Sequence, residues 1–508
     1  MIDKTSNHGR LRVAVFAVLI SVLALSLISV GVAAQSTLTV DKNDSGNYDT
    51  VQAAVDNATS GDTVAVEPGT YTGTVNITDT SDLSIVGNGQ GQTVIRPSGT
   101  LQWGDETLFS DRTTGVRVVS SQNIEFSELT LNFDQINDTA VTGLLYWESS
   151  GTLEDVTLRE MSNPNDPEDI TSYFGTNNPG NSDFTASNRA EIDIRDSRFV
   201  ETGRIGVNAE DFTEVNILRS QFSTTDAGYA VEIGSEATGS IRESQITGYN
   251  QFFSSGAESA AVYVENAFPA AGVDVTKRVE VVDNTITDSM YGVQFGQTFD
   301  GYGGDVDIVA EFRDNRVEGN TLGGVVITDE DASAGSSVSV TAEGNSILNN
   351  GGSGYSVVTA GDGDVSLSGK NEVISGNDVG LTVDKTANGS EYSVSITESE
   401  ITGNSQGVRN LLDGVVVDAT LNWWGSSAGP SGVGSGNGDS VTDNVSFEPW
   451  LNAPPGEPEC VRKRTLGRAE DDRCYDGNSV RRGESRGADS GSDGIRDSRP
   501  DRRDRGRR

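Results

Sequence analysis

Short runs along the chain alternate apolar and polar residues with a period of two: RVEVVDN, VSVSVTAEG and EYSVSITES are examples. Each is bounded by Gly, Asn or Asp, which is the pattern of half-buried strands and excludes helical repeats. The runs also recur. The stretch DNTITDSMYGVQF, from Asp283 to Phe295, returns as DNRVEGNTLGGVVI, EGNSILNNGGSGYSVV, KNEVISGNDVGLTV and ESEITGNSQGVRN. A polar residue precedes an apolar anchor by two positions in the pairs Ser197/Phe199, Ser220/Phe222, Ser244/Ile246, Asn284/Ile286, Asn315/Val317, Asn345/Ile347, Asn371/Val373, Ser399/Ile401 and Asn422/Trp424. Successive anchors lie 23 to 40 residues apart. That period signals a solenoid, and most units are too short for propeller blades of roughly 40–45 residues. The expected fold is therefore all-β: a single-stranded parallel β-helix of three-stranded coils stacked at about 4.8 Å.

In such a coil the anchors point inward and stack. The polar partners fall at a bend, where small side chains take left-handed backbone angles and bond neighbouring backbone. Asn284, Asn315, Asn345 and Asn371 are expected to form this ladder, and Gly292, Gly324, Gly380 and Gly407 to open the next strand as turn residues. Solenoid ends expose strand edges and need covers. A short amphipathic capping helix is expected from Tyr48 to about Ala58, with Val51, Ala54, Val55 and Ala58 on one face. Trp423, Trp424, Phe447 and Trp450 read as a lid on the last coil, against a rival reading as a sugar-stacking platform.

Charge divides the 508 residues unevenly. Of 36 basic residues, three lie in 1–34 and fifteen from Cys460 onward, leaving eighteen in 35–459 against 65 acidic ones, a net of −47. Such a surface repels nucleic acid and fits life in concentrated salt, where repulsion is screened within about 3 Å at 1 M; an ordinary acidic secreted protein is the alternative. Residues 1–34 combine a basic lead, an apolar run and Val32-Ala33-Ala34, the pattern of a signal peptide. The run is long enough to span a bilayer if left uncleaved. Export to the cell surface or beyond follows from either reading. Both cysteines lie in the tail, so disulfides do not hold the solenoid. Residues 458–508 are Arg-rich and expected to be disordered; the segment reads either as a slip of frame near Pro458 or as a genuine basic tail.

T50-V-Q-A-A-V, S60-G-D-T-V-A-V and P68-G-T-Y resemble the opening of the pectin-lyase-like superfamily of right-handed parallel β-helices. The repeated N-x-I-x-x-N-x-x-G-V-x-V is similar to its parallel β-helix repeats, and N422-W-W-G-S-S-A-G-P to the closing motif of secreted and surface members, including those of salt-loving archaea. The resemblance implies one β-helix domain over 35–457, with an N-terminal cap at 36–100, coils at 101–420 and a C-terminal cap at 421–452. It implies no single activity, since the superfamily holds lyases, hydrolases, esterases, epimerases, adhesins and accessory proteins. The only His is His8; Arg-x-Lys, Arg-x-Pro-x-x-Arg and Trp-x-Asp-His signatures are missing between 35 and 457.

What remains is a set of candidates in the central coils. Arg195, Arg219 and Arg242 would form a basic column if neighbouring coils align them, to hold an acidic sugar or supply a lyase base; the alternative is a solvated ion-pair ladder. Insertions at 161–184, 249–268 and 296–307 bring Tyr173, Phe174, Tyr249, Phe252 and Tyr302, which suit carbohydrate stacking or simply pin the loops. Asp300, Asp305 and Asp307 are oxygen donors of the kind Ca2+ accepts, though no cofactor is required. The expected protein is a monomer that binds polysaccharide or surface-layer components without catalysis. The alternative is a lyase or hydrolase acting on an acidic polysaccharide. A membrane is reached only through an uncleaved leader or a lost C-terminal anchor.

Overall fold

A computed structural model describes residues 35–43, 47–102, 113–136, 141–160, 172–177, 185, 187–225, 227–252, 259–265, 275–296, 306–329, 336–359, 363–385 and 392–455. The leader, the Arg-rich tail, Asp300, Tyr302 and Asp305 lie outside them.

The chain winds into a right-handed parallel β-helix of about twelve turns. One coil shows how. The strand Ala190–Arg195 is followed by a bend at Asp196 and Ser197, the strand Arg198–Val200, and then the strand Ile205–Ala209. The next strand, Thr213–Leu218, lies beneath Ala190–Arg195 in parallel register from Ala190↔Thr213 to Arg195↔Leu218. Repetition builds a 25-stranded sheet folded over two faces and a 15-stranded sheet on the third. Among named strands only Leu101–Gln102 pairs antiparallel, with Thr113–Val119.

The period-two alternation sets each strand's inward face, and the anchors stack as expected. Phe199 sits in register with Phe222, at 4.6 Å between ring centroids, and the column continues through Ile246, Ile286, Val317 and Ile347. The next anchor is Ile374, not Val373, which is only half-buried. The ladder shifts with it. The amide of Asn284 donates to Asn315 Oδ1, that of Asn315 to Asn345 Oδ1, and that of Asn345 to Glu372 Oε1. Asn371 is not a rung: it is the exposed residue before it, at φ 58°. The same offset holds along the ladder, with Asp283 at 58° and Asp314 at 55° ahead of Asn284 and Asn315. The left-handed residue precedes the rung, and the rung's backbone N–H donates to the next rung's side chain, as Asn284 N–H does to Asn315 Oδ1 at 3.0 Å.

A second ladder runs beside the first. Asn320 donates to Asn350, Asn350 to Asn377 and Asn377 to Asn404, which closes on Asp439. Gly292 and Gly324 serve packing rather than turning. Neither has a positive φ; a Cβ on Gly292 would lie 2.4 Å from Val317 Cγ1, and one on Gly324 2.6 Å from Gly354 O.

The capping helix is shorter than its pattern, Val51–Val55, with Thr50 Oγ1 accepting from the Ala53 N–H at 3.1 Å. It buries Val51 and Ala54, while Val55 and Ala58 pack half-buried. Beyond it, Asp62 accepts from the Thr59 N–H and hydroxyl, each at 2.8 Å. The same carboxylate accepts from Ser36, and these donors hold its pKa well below the usual range. At the far end Trp424 is fully buried, with Phe447 and Trp450 packed half-buried against the core.

Candidate functional site in the central coils

Eight of the eighteen basic residues in 35–459 fall between Arg189 and Arg278. The structure does not gather them as a column of Arg195, Arg219 and Arg242. Arg195 and Arg242 hold equivalent places two strands apart, with Leu218 between them. Arg219 is one residue off register, in the bend at φ 48°. Each is paired: Arg195 with Asp193, Arg219 with Asp196 through Nε at 2.9 Å and Nη2 at 2.7 Å, and Arg242 with Glu280. All three guanidinium groups are more than a third exposed, where water and salt screen such pairs.

The aromatic candidates divide as well. Phe174 is fully buried in the solenoid, tilted 5.5 Å from Tyr146. Tyr249 is fully buried too, its hydroxyl bonded to Thr202 at 3.2 Å. Neither offers a ring face to a ligand, because both point into the core. The Tyr173 side chain lies outside the described residues. Phe252 is 59% exposed and stays available. Asp307 accepts from Ser337 Oγ at 2.6 Å, and among the described residues no three potential metal ligands come together.

Sequence reasoning missed a second apolar cluster, outside the solenoid on the outer face of the 15-stranded sheet. Ile205, Tyr229, Ala260 and Tyr291 follow one another in register on four successive strands. Tyr263 stacks on Tyr229 with 5.0 Å between centroids. The neighbouring outward row is polar: Asn208, Glu232, Tyr263 and Gln294. Segments 253–258, 266–274 and 297–305, outside the described residues, join the chain at the ends of these strands. The N–H of Gln251, next to Phe252 in the chain, donates to Ala227 O at 3.1 Å, two residues before Tyr229.

Where this sheet turns into the 25-stranded one, charges are buried together. Lys277 is fully buried; its ammonium donates to Ile233 O at 2.8 Å and to Glu265 O. Glu265 and Glu236 are also buried. Burial pushes the Glu265 carboxyl well up and the Lys277 ammonium down to about 8, each toward its neutral form. Glu210 adds to both fields, and Ser235 Oγ donates to it at 2.7 Å. Tyr229, beside Glu232 and Arg204, has its phenol pushed up by burial.

One local cause produces this corner. The strand Thr238–Arg242 has five residues and its successor Val275–Val282 has eight, so Lys277 has no partner on the previous coil. On later coils the same inward position is Ile308, Val338 and Val365. Lys277 is long enough to fill the space left by the short strand and to reach the carbonyls beyond it. On the outside, the same shortness leaves a groove of about 480 Å³ reaching from Arg189 to Arg278.

No protein-family profile and no curated protein matches the chain. Among solved structures it is similar to the periplasmic alginate epimerase AlgG, at 12% identity over 76% of this chain and 84% of that one, with a TM-score of 0.48. It is similar to the A-module of the Azotobacter vinelandii mannuronan C-5 epimerase AlgE4, at 17% identity over 72% and 95% of the two chains and a TM-score of 0.43. A pectin methylesterase in complex with a hexasaccharide follows at 14% identity, 51% and 80% coverage and a TM-score of 0.29.

Proposed function

We propose that this chain is an exported cell-surface or extracellular β-helix that holds polysaccharide on the outer face of its 15-stranded sheet, without cleaving it. The observation that carries the reading is the outward cluster of Ile205, Tyr229, Tyr263 and Tyr291, edged by Asn208, Glu232 and Gln294. Outward positions of a solenoid sheet have no reason of their own to be aromatic, and here Ile205, Tyr229 and Tyr263 are buried while Tyr291 and Glu232 stay partly accessible. Rings beside amides and a carboxylate match the two faces of a sugar, one of C–H groups and one of hydroxyls. Tyr291 and Phe252 supply the accessible ring surface, and Tyr229 and Tyr263 back them.

The protonation states support binding over chemistry. A phenol pushed upward is a hydrogen-bond donor and a poor base. Glu265 is raised but buried, with its backbone carbonyl held by the Lys277 ammonium. The described residues contain no histidine.

The test uses the full chain with acidic and neutral polysaccharides in molar salt and calcium. Affinity electrophoresis is expected to show retardation, weakened by Phe252→Ala and Tyr291→Ala, while ultraviolet absorbance and reducing-end assays stay flat. Unsaturated ends would replace this reading with a lyase, and new reducing ends with a hydrolase. Unchanged mobility in every gel would remove it.

A further inference from the structure

The groove left outside the short strand Thr238–Arg242 is separate from the tyrosine face, and its chemistry differs. Its floor is low because the outward side chains there, Thr238 and Ser240, are short. Gly239 between them has φ +154°, and a Cβ on it would stand 1.8 Å from Val215 O, so only glycine lets this strand settle against its predecessor. Glu214 and Asn216 rise on one side, Arg278 and Glu280 on the other.

Three arginines reach this groove. Arg189 is half-buried and fixed by donation from Nη1 to the carbonyl of Glu236. Arg242 is tied to Glu280. Arg278 is exposed; its backbone N–H donates to Thr238 Oγ1 at 3.1 Å, while its guanidinium makes no hydrogen bond or ion pair among the described residues. Asn216 accepts from Ser240 Oγ at 2.9 Å through Oδ1, which turns its amide N–H groups toward other partners. Three arginines against Glu214 and Glu280 leave the lining at +1, inside a region whose net charge is −47.

We infer that this groove is a second glycan-binding site, one that takes a carboxylated sugar, with the carboxylate on the Arg278 guanidinium and ring hydroxyls on Asn216, Ser240 and Glu214. A guanidinium presents two parallel N–H groups that match a carboxylate's two oxygens, a geometry that a point charge lacks. Hydrogen bonds to a charged partner survive salt that screens the long-range field. A neutral sugar would leave Arg278 with nothing to neutralise, and a bare anion would leave the hydroxyl and amide floor unused. The site stands on its own observations and survives even if the tyrosine face binds nothing.

The test is calorimetric titration of the full chain with uronic-acid oligosaccharides, with uncharged oligosaccharides of equal length, and with sulfated ones. Uronate oligomers are expected to bind, and Arg278→Ala to weaken them about tenfold, the ordinary worth of one charge-assisted contact. Its melting temperature should be unchanged, because the side chain is exposed. Arg278→Lys should recover only part of the affinity. Arg219→Ala, whose fork is spent on Asp196 outside the groove, should leave binding as it was. Phe252→Ala separates the two sites: groove binding persists in it. In the Phe252→Ala background, equal affinity for uncharged oligomers, equal Arg278 dependence with sulfated ones, or no loss on Arg278→Ala would each overturn the assignment.

Discussion

Glu372 shows what one side chain can do to a repeated device. It occupies a ladder rung where the preceding coils use Asn, and it takes the Asn345 backbone N–H at 3.2 Å and side-chain N–H at 3.0 Å on Oε1. The hydroxyl of Tyr355 donates to Oε2 at 2.5 Å. These donors favour the anion, but burial outweighs them and lifts its pKa from 4.5 to about 7. A carboxyl whose pKa is higher folded than unfolded holds its proton more tightly in the native state. Its contribution is therefore complete below pH 4.5 and is lost as pH rises through about 7. The gap between those values corresponds to about 3 kcal/mol. Glu372→Gln, which keeps shape and acceptor, should raise the melting temperature at pH 8 and leave it nearly unchanged at pH 4, followed by circular dichroism. A loss at pH 8 would show that the anion is better solvated than its burial implies. The position also marks where reading by pattern slipped. In KNEVISGN the asparagine stands one place before the rung, and a glutamate is not recognisable as a member of an amide ladder until its neighbours are known.

At the level of strands, the expected elements formed because period-two patterning and Asn–Gly bends agree on one register. The central corner was harder to foresee. Glu210, Glu236, Glu265 and Lys277 are scattered over three coils, and nothing local joins them. One signal was present. In VTKRVEVV, Val275, Val279 and Val281 mark the inward positions and Lys277 shares their parity. A lysine in an inward slot of a strand announces buried carboxylates or carbonyls somewhere opposite. Removing one member of such a cluster is costly, about 3–5 kcal/mol, because a charge is left buried without its counterpart. Lys277→Met should therefore lower the melting temperature sharply. The double variant Lys277→Met, Glu265→Gln should recover a large part of the loss, since the cation and the carboxylate whose field acts on it most leave together. If the single variant melts with the native chain, the corner is not held by its charges, and hydrogen bonds to Ile233 and Glu265 carbonyls are dispensable.

At the scale of the whole molecule, a solenoid has a large surface for its length, and here that surface carries a net charge of −47 between residues 35 and 459. The ion pairs among the described residues are few and partly exposed, with the Arg219–Asp196 and Lys370–Glu398 pairs a third to a half open to water. They do not offset the repulsion. Screening by dissolved ions does, because the field of each carboxylate reaches about 10 Å at 0.1 M ionic strength and about 3 Å at 1 M. Coils lie about 4.8 Å apart, so at low salt each acidic side chain repels those on several coils, and at high salt mainly its immediate neighbours. Melting in sodium chloride and in potassium chloride should therefore give the same rise, on the order of 10 °C between 0.1 and 2 M, with most of it gained below 1 M. Agreement between the two salts separates screening from binding of a particular cation. A rise that keeps growing linearly above 1 M would instead point to salting-out of apolar surface. A flat curve would mean that the carboxylates are spaced widely enough to ignore one another. In that case the acidic composition would serve solubility alone, and the solenoid would need no concentrated salt to stand.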